Sequence, residues 1–322
     1  MMRFVTVLVV VAVGIATGAW LGPSATGFTF LKLGVGARPV AMGQAFTGVA
    51  DDANALFYNP AGLALNSEFD LSVNACQMLR GVSYFSGGLK VPFLKRFGAG
   101  FCAGYLSAID TRRDELGEEL GTFGLSDIIA GPGFAIQPVR NLFVGGAGKF
   151  VFSQIDSFSA WAFSFDAGVL YQPLRYLSLG AGLLHLGTPR RFIEDWEYPP
   201  VNLRAGAGFK LPILTNHILI AADVSTYPDY GPTLGIGAEA KLDLGALGSG
   251  KSEVLYLRGG YQSGAHLGTW AGFSLGIGYE TRISPGLVLM VDAVYLSYGL
   301  LGDAQRVSLG LKFTPFSRAG RS

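Results

Sequence analysis

A chain of 322 residues that is 50% hydrophobic and only 15% charged carries too few charges to coat a soluble surface of its size. Its formal net charge of +1 leaves no basic footprint for nucleic acid. Its 47 glycines exclude an architecture of long helices, since each glycine inside a helix costs about 1 kcal/mol relative to alanine.

The chain opens with "MMRFVTVLVVVAVGIATGAW": one positive charge, Arg3, an apolar run from Phe4 to about Ala16, then small residues at Ala16, Gly18 and Ala19. This order predicts a secretion signal over residues 1–19, cut somewhere between 18 and 27. An uncleaved membrane anchor is the competing reading, because the run is nearly long enough to span. No cysteine follows the run, which argues against a lipid anchor; the two cysteines, Cys76 and Cys102, are expected as free buried thiols.

Residues 27–68 do not read as a strand series. They hold small residues, a potential helix cap at Asp51 or Asp52, a short helical stretch Ala53 to Tyr58, and a break at Asn59-Pro60. Their apolar content argues against an exposed periplasmic tail.

From residue 69 the sequence has period two. In "AFSFDAGVLY", Phe163, Phe165, Ala167, Val169 and Tyr171 share one face, and Ser164, Asp166 and Gly168 the other. "NLRAGAGFKL", "FSLGIGYE" and "VSLGLKF" repeat the pattern, which marks strands with one apolar and one polar or glycine-rich face. The strands are expected at 69–78, 82–91, 97–107, 125–137, 141–153, 160–172, 176–187, 201–211, 217–226, 232–243, 253–263, 268–281, 287–298 and 304–316. That is about fourteen strands, longer than is usual in soluble sheets and right for tilted membrane strands.

Tight turns at "QPVRN", "QPLRY" and "RISPG" fall on one side, and the long connections "AIDTRRDELGEELGTFG" and "GTPRRFIEDWEYPP" on the other. Short inner turns, longer outer loops and an even strand number are the habit of bacterial outer-membrane barrels. No second apolar run of 18 residues exists, so a helical membrane bundle is excluded. The fold class is therefore all-β: a transmembrane antiparallel β-barrel over residues 69–316, a C-terminal tail 317–322, and residues 20–68 as a plug, or hatch, in the lumen. Inward glycine leaves room for such a plug. The expected location is the outer membrane of a Gram-negative-type bacterium, with both termini periplasmic and lipid and lipopolysaccharide around the wall.

One motif points elsewhere. "GALGSGKS", residues 245–252, fits the phosphate-loop pattern, and "LVLMVD" resembles the strand whose Asp would hold magnesium. A phosphate loop works by leading into a helix, whereas "EVLYLRGGYQ" alternates and carries Gly259-Gly260. The match is coincidence, with no nucleotide expected. His185, His217 and His266 have no metal-site spacing, and no nucleophile stands with its base, so neither a cofactor, a metal nor an enzyme is expected. The acidic loop of Asp110, Asp114, Glu115, Glu118 and Glu119 lacks calcium-loop spacing and is expected to be solvated, as are Arg112–Arg113 and Arg190–Arg191. Trp161, Trp196 and Trp270 are placed for an aromatic girdle at the outer strand ends.

The segment "FLKLGVGARPVAMGQAFTGVADDANALFYNPAGLA" resembles the opening signature of the PorV/PorQ family of FadL-like outer-membrane barrels. The matching pieces are Gly34, Gly36, Ala37 and Arg38; Ala41-Met42-Gly43; Ala50-Asp51-Asp52-Ala53; and Asn59-Pro60-Ala61-Gly62-Leu63. The resemblance continues through "FSFDAGVLYQPLRYLSLGAGLLHLG" and "GDAQRVSLGLKF". It implies fourteen strands and an N-terminal hatch whose Asn-Pro-Ala segment closes the lumen. It also implies a role in secretion or surface handling of exported proteins, of type IX kind, with secretion-system proteins or cargo as partners. The alternative it implies is a FadL-like passive channel for hydrophobic small molecules, which requires an apolar pocket between hatch and wall.

Overall fold

Strict alternation from Phe69 onward forms long strands that close on themselves. The computed structural model describes residues 26–66, 68–78, 81–94, 96–192, 195–213, 216–245, 252–264 and 270–314. The expected signal sequence, the C-terminal tail, His266 and most of the "GALGSGKS" stretch lie outside these residues.

The barrel strands are β1 (Phe69–Gln77), β2 (Ser83–Leu94), β3 (Phe97–Arg113), β4 (Glu119–Val139), β5 (Leu142–Ile155), β6 (Phe158–Leu174) and β7 (Leu177–Gly187). After a small separate hairpin, β8 (Arg190–Phe192) and β9 (Asp195–Glu197), come β10 (Asn202–Ile213), β11 (Asn216–Tyr227) and β12 (Tyr230–Asp243). The last four are β13 (Glu253–Gln262), β14 (Phe273–Ser284), β15 (Leu287–Ser297) and β16 (Asp303–Phe313). Each pairs antiparallel with its sequence neighbour in the barrel, β7 with β10, and β1 with β16 closes a fourteen-stranded barrel with no free edge. Closure satisfies every ladder in a medium that offers the backbone no water.

The expected strands all form. Two connections differ from expectation. The charged stretch after residue 107 is not a loose loop, because β3 and β4 stay paired out to Arg113 and Glu119, raising a hairpin beyond their neighbours. The connection after β7 folds its own hairpin, β8–β9. Neither has the apolar alternation that marks a membrane strand, yet backbone pairing needs no apolar face. β12 ends at Asp243 and β13 begins at Glu253, both at the turn end, so the longer separation there is an exception to the loop asymmetry.

The two faces sort as the alternation requires. Val73, Phe163, Phe165, Ile277 and Leu309 point outward and are exposed, whereas Asp70, Ser72, Asn74, Ser164 and Asp166 point into the lumen and are buried. Trp161, Trp196 and Trp270 are exposed at the loop end. Cys76 and Cys102 are buried and free.

What buries the lumen face is the segment from Thr26 to Asn66. It contains the short helices Ala37–Ala41 and Ala55–Tyr58 and the 3-10 turns Thr29–Lys32 and Pro60–Ala64. Ala37, Ala45, Phe46, Leu56, Ala61 and Leu63 are fully buried. Backbone meets backbone through inward glycines: a Cβ at Gly98 would overlap the Leu63 carbonyl, and one at Gly180 the Thr47 carbonyl. The segment enters at the loop end, where Gly27 N donates to Tyr198 O (3.0 Å) and Thr26 Oγ to Asp229 (2.6 Å). It then descends to β1 at the turn end. Thr26 and Phe313 thus lie at opposite ends of the barrel, while the termini themselves lie outside the described residues.

Candidate functional site

The signature residues are fasteners spread through the segment rather than one cluster. Gly34 gives its carbonyl to Arg306 of β16. Gly36, at φ 80°, precedes the helix Ala37–Ala41, whose first amide donates to Ser308 Oγ (2.8 Å). That helix orients Arg38. Its guanidinium bonds Asp51, reaches Asp52 at 3.1 Å and Glu239 of β12 at 2.8 Å, and lies 5.3 Å from the Phe46 ring centre. Glu239 in turn accepts from Arg258 of β13 (2.7 Å), which also holds Asp292 of β15. Burial alone would raise the Asp51 carboxyl and strip charge from Arg38. The Arg38 guanidinium overrides this for Asp51 and holds it below the usual carboxylate range, while Asp51, Glu239 and Asp52 keep Arg38 charged.

Asp52 Oδ1 also accepts from Asn54 N (2.8 Å), but Asn54 is the N-cap of the helix Ala55–Tyr58 and no side chain caps it, so the cap expected at Asp51 or Asp52 does not form. Asn59 ends that helix and fastens three ways: Nδ2 donates to Thr47 O (2.9 Å) and to Val169 O of β6 (3.0 Å), and Oδ1 accepts from Ala61 N (3.2 Å). Pro60 starts the 3-10 turn, and a Cβ at Gly62 would overlap the Ala50 carbonyl. Tyr58 ties the upper and lower parts together, since its hydroxyl both donates to Val35 O and accepts from Val35 N at 2.9 Å. Burial pushes that phenol up to about 12, so it stays protonated and keeps both bonds.

Of these residues Gly34 borders the open space at the loop end. Above the packed half lies a cavity of about 400 Å³, at the loop end between segment and wall. Lys32, Leu33, Gly34 and Gln44 form its inner side; Tyr227, Thr233, Gln262, Ser263, Gly272, Leu296, Ser297 and Tyr298 form the wall. The volume lies in the range of small-molecule sites. An adjoining space that shares Lys32, Leu33, Gln44 and Tyr227 narrows to about 20 Å³ among Tyr58, Tyr84, Ile129 and His185, room for about one water.

Apart from Gly34, sequence reasoning missed the cavity residues. Gln44 sits at φ 59° directly after Gly43 at φ 60°, an uncommon conformation for a side chain other than glycine or asparagine. Gly43 is required there because a Cβ would press on the Ile236 and Tyr261 carbonyls at 2.6 Å. The turn aims Gln44 at the wall, where Nε2 donates to Gln262 Oε1 (2.7 Å), while its carbonyl accepts from Arg204 (2.7 Å). Among the expected loop charges, Arg112 pairs with Asp156 (2.6 Å), Arg113 with Glu119 (2.7 Å) and Arg190 with Glu197 (2.7 Å). The strand Glu253–Gln262 stands where a phosphate loop would need a helix, so the phosphate-loop geometry is missing.

No family model and no curated protein sequence matches the chain. Solved structures do. The chain is similar to the toluene transporter TbuX of Ralstonia pickettii, with 13% identity and a TM-score of 0.60 over 87% of this chain and 97% of that one. It is similar to the Pseudomonas putida toluene transporter TodX, with 12% identity and a TM-score of 0.57 over 87% and 97%. A Pseudomonas aeruginosa FadL homologue matches at 12% identity and a TM-score of 0.52 over 85% and 97%. The fold is FadL-like. At these identities the likeness concerns architecture: a closed fourteen-stranded antiparallel barrel of outer-membrane type.

Proposed function

We propose that the chain is a non-enzymatic outer-membrane channel for small hydrophobic molecules, with the segment 26–66 as its hatch and the loop end facing outward. The observation that carries this reading is the cavity of about 400 Å³ between hatch and wall. A rigid scaffold protein has no use for such a space, whereas a hydrophobic-solute channel requires it. Solved barrels of the same architecture that are described as toluene transporters support the same reading. The outward apolar band is the surface that lipid and lipopolysaccharide would cover.

The ranking of the two expectations is thereby reversed. Secretion of PorV/PorQ type keeps one observation in its favour: the β3–β4 hairpin presents Ile109, Leu116 and Leu120 largely exposed, an apolar tip suited to a protein partner. Gentle purification from the native membrane, with mass spectrometry of everything that co-elutes, separates the two. A bound apolar small molecule of about one ring supports the channel. Recurrent exported proteins with an empty cavity would overturn it.

A further inference from the structure

We infer that the mouth cavity selects an uncharged apolar molecule bearing a hydroxyl or carbonyl group, read by the Gln44–Gln262 pair. The inference rests on the channel reading.

Three observations carry it. First, the cavity's titratable groups are already neutralised. Lys32 Nζ lies 2.6 Å from Asp229 Oδ2, and Thr26 donates to the same oxygen at 2.6 Å. Asp229 Oδ1 is buried with no donor among the described residues, so the pair presents no net charge to the cavity and offers an anion nothing beyond the ammonium it already holds. A carboxylate entering here meets no unpaired cation, because the Lys32 ammonium is already matched by Asp229, so its desolvation is not offset by a new ion pair.

Second, the pair's remaining capacity matches a hydroxyl. The bond between Gln44 Nε2 and Gln262 Oε1 leaves Gln44 Oε1 to accept and Gln262 Nε2 to donate. One hydroxyl satisfies both; a carbonyl satisfies the donor. A pure hydrocarbon that fills the cavity covers these groups and leaves them unpaired. The wall hydroxyls already have a backbone or side-chain partner each: Thr233 with Ser225 (2.8 Å), Ser263 Oγ accepting from Leu234 N (2.8 Å), and Ser297 Oγ accepting from Gly299 N (3.2 Å).

Third, Gln44 is held in place by strain. A non-glycine residue at φ 59° persists only where its surroundings over-determine it, and such residues cluster at ligand sites. Here the fasteners are Arg204 on the Gln44 carbonyl and Pro39 O, which accepts from Gln44 N at 2.9 Å. Packing alone would be served by glycine or asparagine at this position.

A cavity of about 400 Å³ lies in the small-molecule range and takes a single ring with short substituents.

The test compares three molecules of one shape, p-cresol, toluene and 4-methylbenzoate, binding to the purified full barrel in detergent at pH 7. The expected order is p-cresol about three- to tenfold tighter than toluene, and 4-methylbenzoate at least about tenfold weaker than p-cresol. Gln262→Leu brings p-cresol to the level of toluene and leaves toluene within about twofold; Gln44→Leu is the second variant should the first not fold. Equal binding of p-cresol and toluene to the native barrel overturns the inference and leaves the channel standing. Tightest binding of the carboxylate also overturns it. If none of the three binds and none crosses the barrel in liposomes, the channel reading falls as well.

Discussion

Replacing Arg38 by methionine removes the one cation shared by Asp51, Asp52 and Glu239. The methionine keeps most of the apolar stem, so the change is chiefly one of charge. Stripping one partner from a buried ion pair costs about 3–5 kcal/mol. The lower figure applies here, since the Asp51 side chain is 29% exposed and water can screen it, and Glu239 retains Arg258 at 2.7 Å. The loss falls on the hatch and spares the wall, because the fourteen ladders do not involve Arg38. About 3 kcal/mol is roughly a hundredfold in an equilibrium constant. Hydrogen exchange of the reconstituted barrel reads this directly. Amides of the helix Ala37–Ala41 and its flanks through Ala53 should exchange about a hundredfold faster in Arg38→Met, and wall amides at their native rate. Uniform protection within about threefold across the hatch would refute the anchoring argument, because it would mean the carboxylates find other partners at no cost.

Asn59→Ala removes two donated bonds and one accepted bond, and should destabilise the lower hatch by about 1–3 kcal/mol, seen as faster exchange at Ala61 and Gly62. Gly180→Val places side-chain atoms against the Thr47 carbonyl; the barrel should still resist SDS unheated, but with its hatch open to a protease. Asp51 has a folded pKa below its unfolded value of about 3.9, so its contribution is full above that pH and disappears as pH falls through the folded value. Hatch protection factors, each taken against the intrinsic exchange rate at the same pH, should therefore fall as pH drops below about 4; protection unchanged through that range would contradict the assignment. Lys251→Ala should change neither folding nor transport, and ATP should not bind the native barrel, as equilibrium dialysis would record.

The wall was legible because a membrane barrel must obey period two over its whole height. Phe163 and Phe165 outward against Ser164 and Asp166 inward follow from alternation alone. The β3–β4 extension was not legible: past Ile109 the strands stand in water, no face needs to be apolar, and only register distinguishes strand from loop. Arg38, Asp51, Asp52 and Asn59 stood out as motif positions, yet their partners Glu239 and Val169 lie 201 and 110 residues away, separations that no local pattern encodes. The cavity is further from the sequence still. It depends on two successive left-handed residues, Gly43 and Gln44, of which only the glycine advertises itself, and on Gln262 arriving from a strand 218 residues on.

The claim that matters most is that small apolar molecules cross this barrel through the mouth cavity. Uptake of radiolabelled toluene and p-cresol should be measured in cells lacking a channel of their own, expressing either the native chain or Leu33→Trp, which fills the cavity from the hatch side. Uptake well above the empty host is expected with the native chain, and a return to the host level with the variant. Native-chain uptake no faster than the empty host, with the barrel folded in the outer membrane, would contradict it.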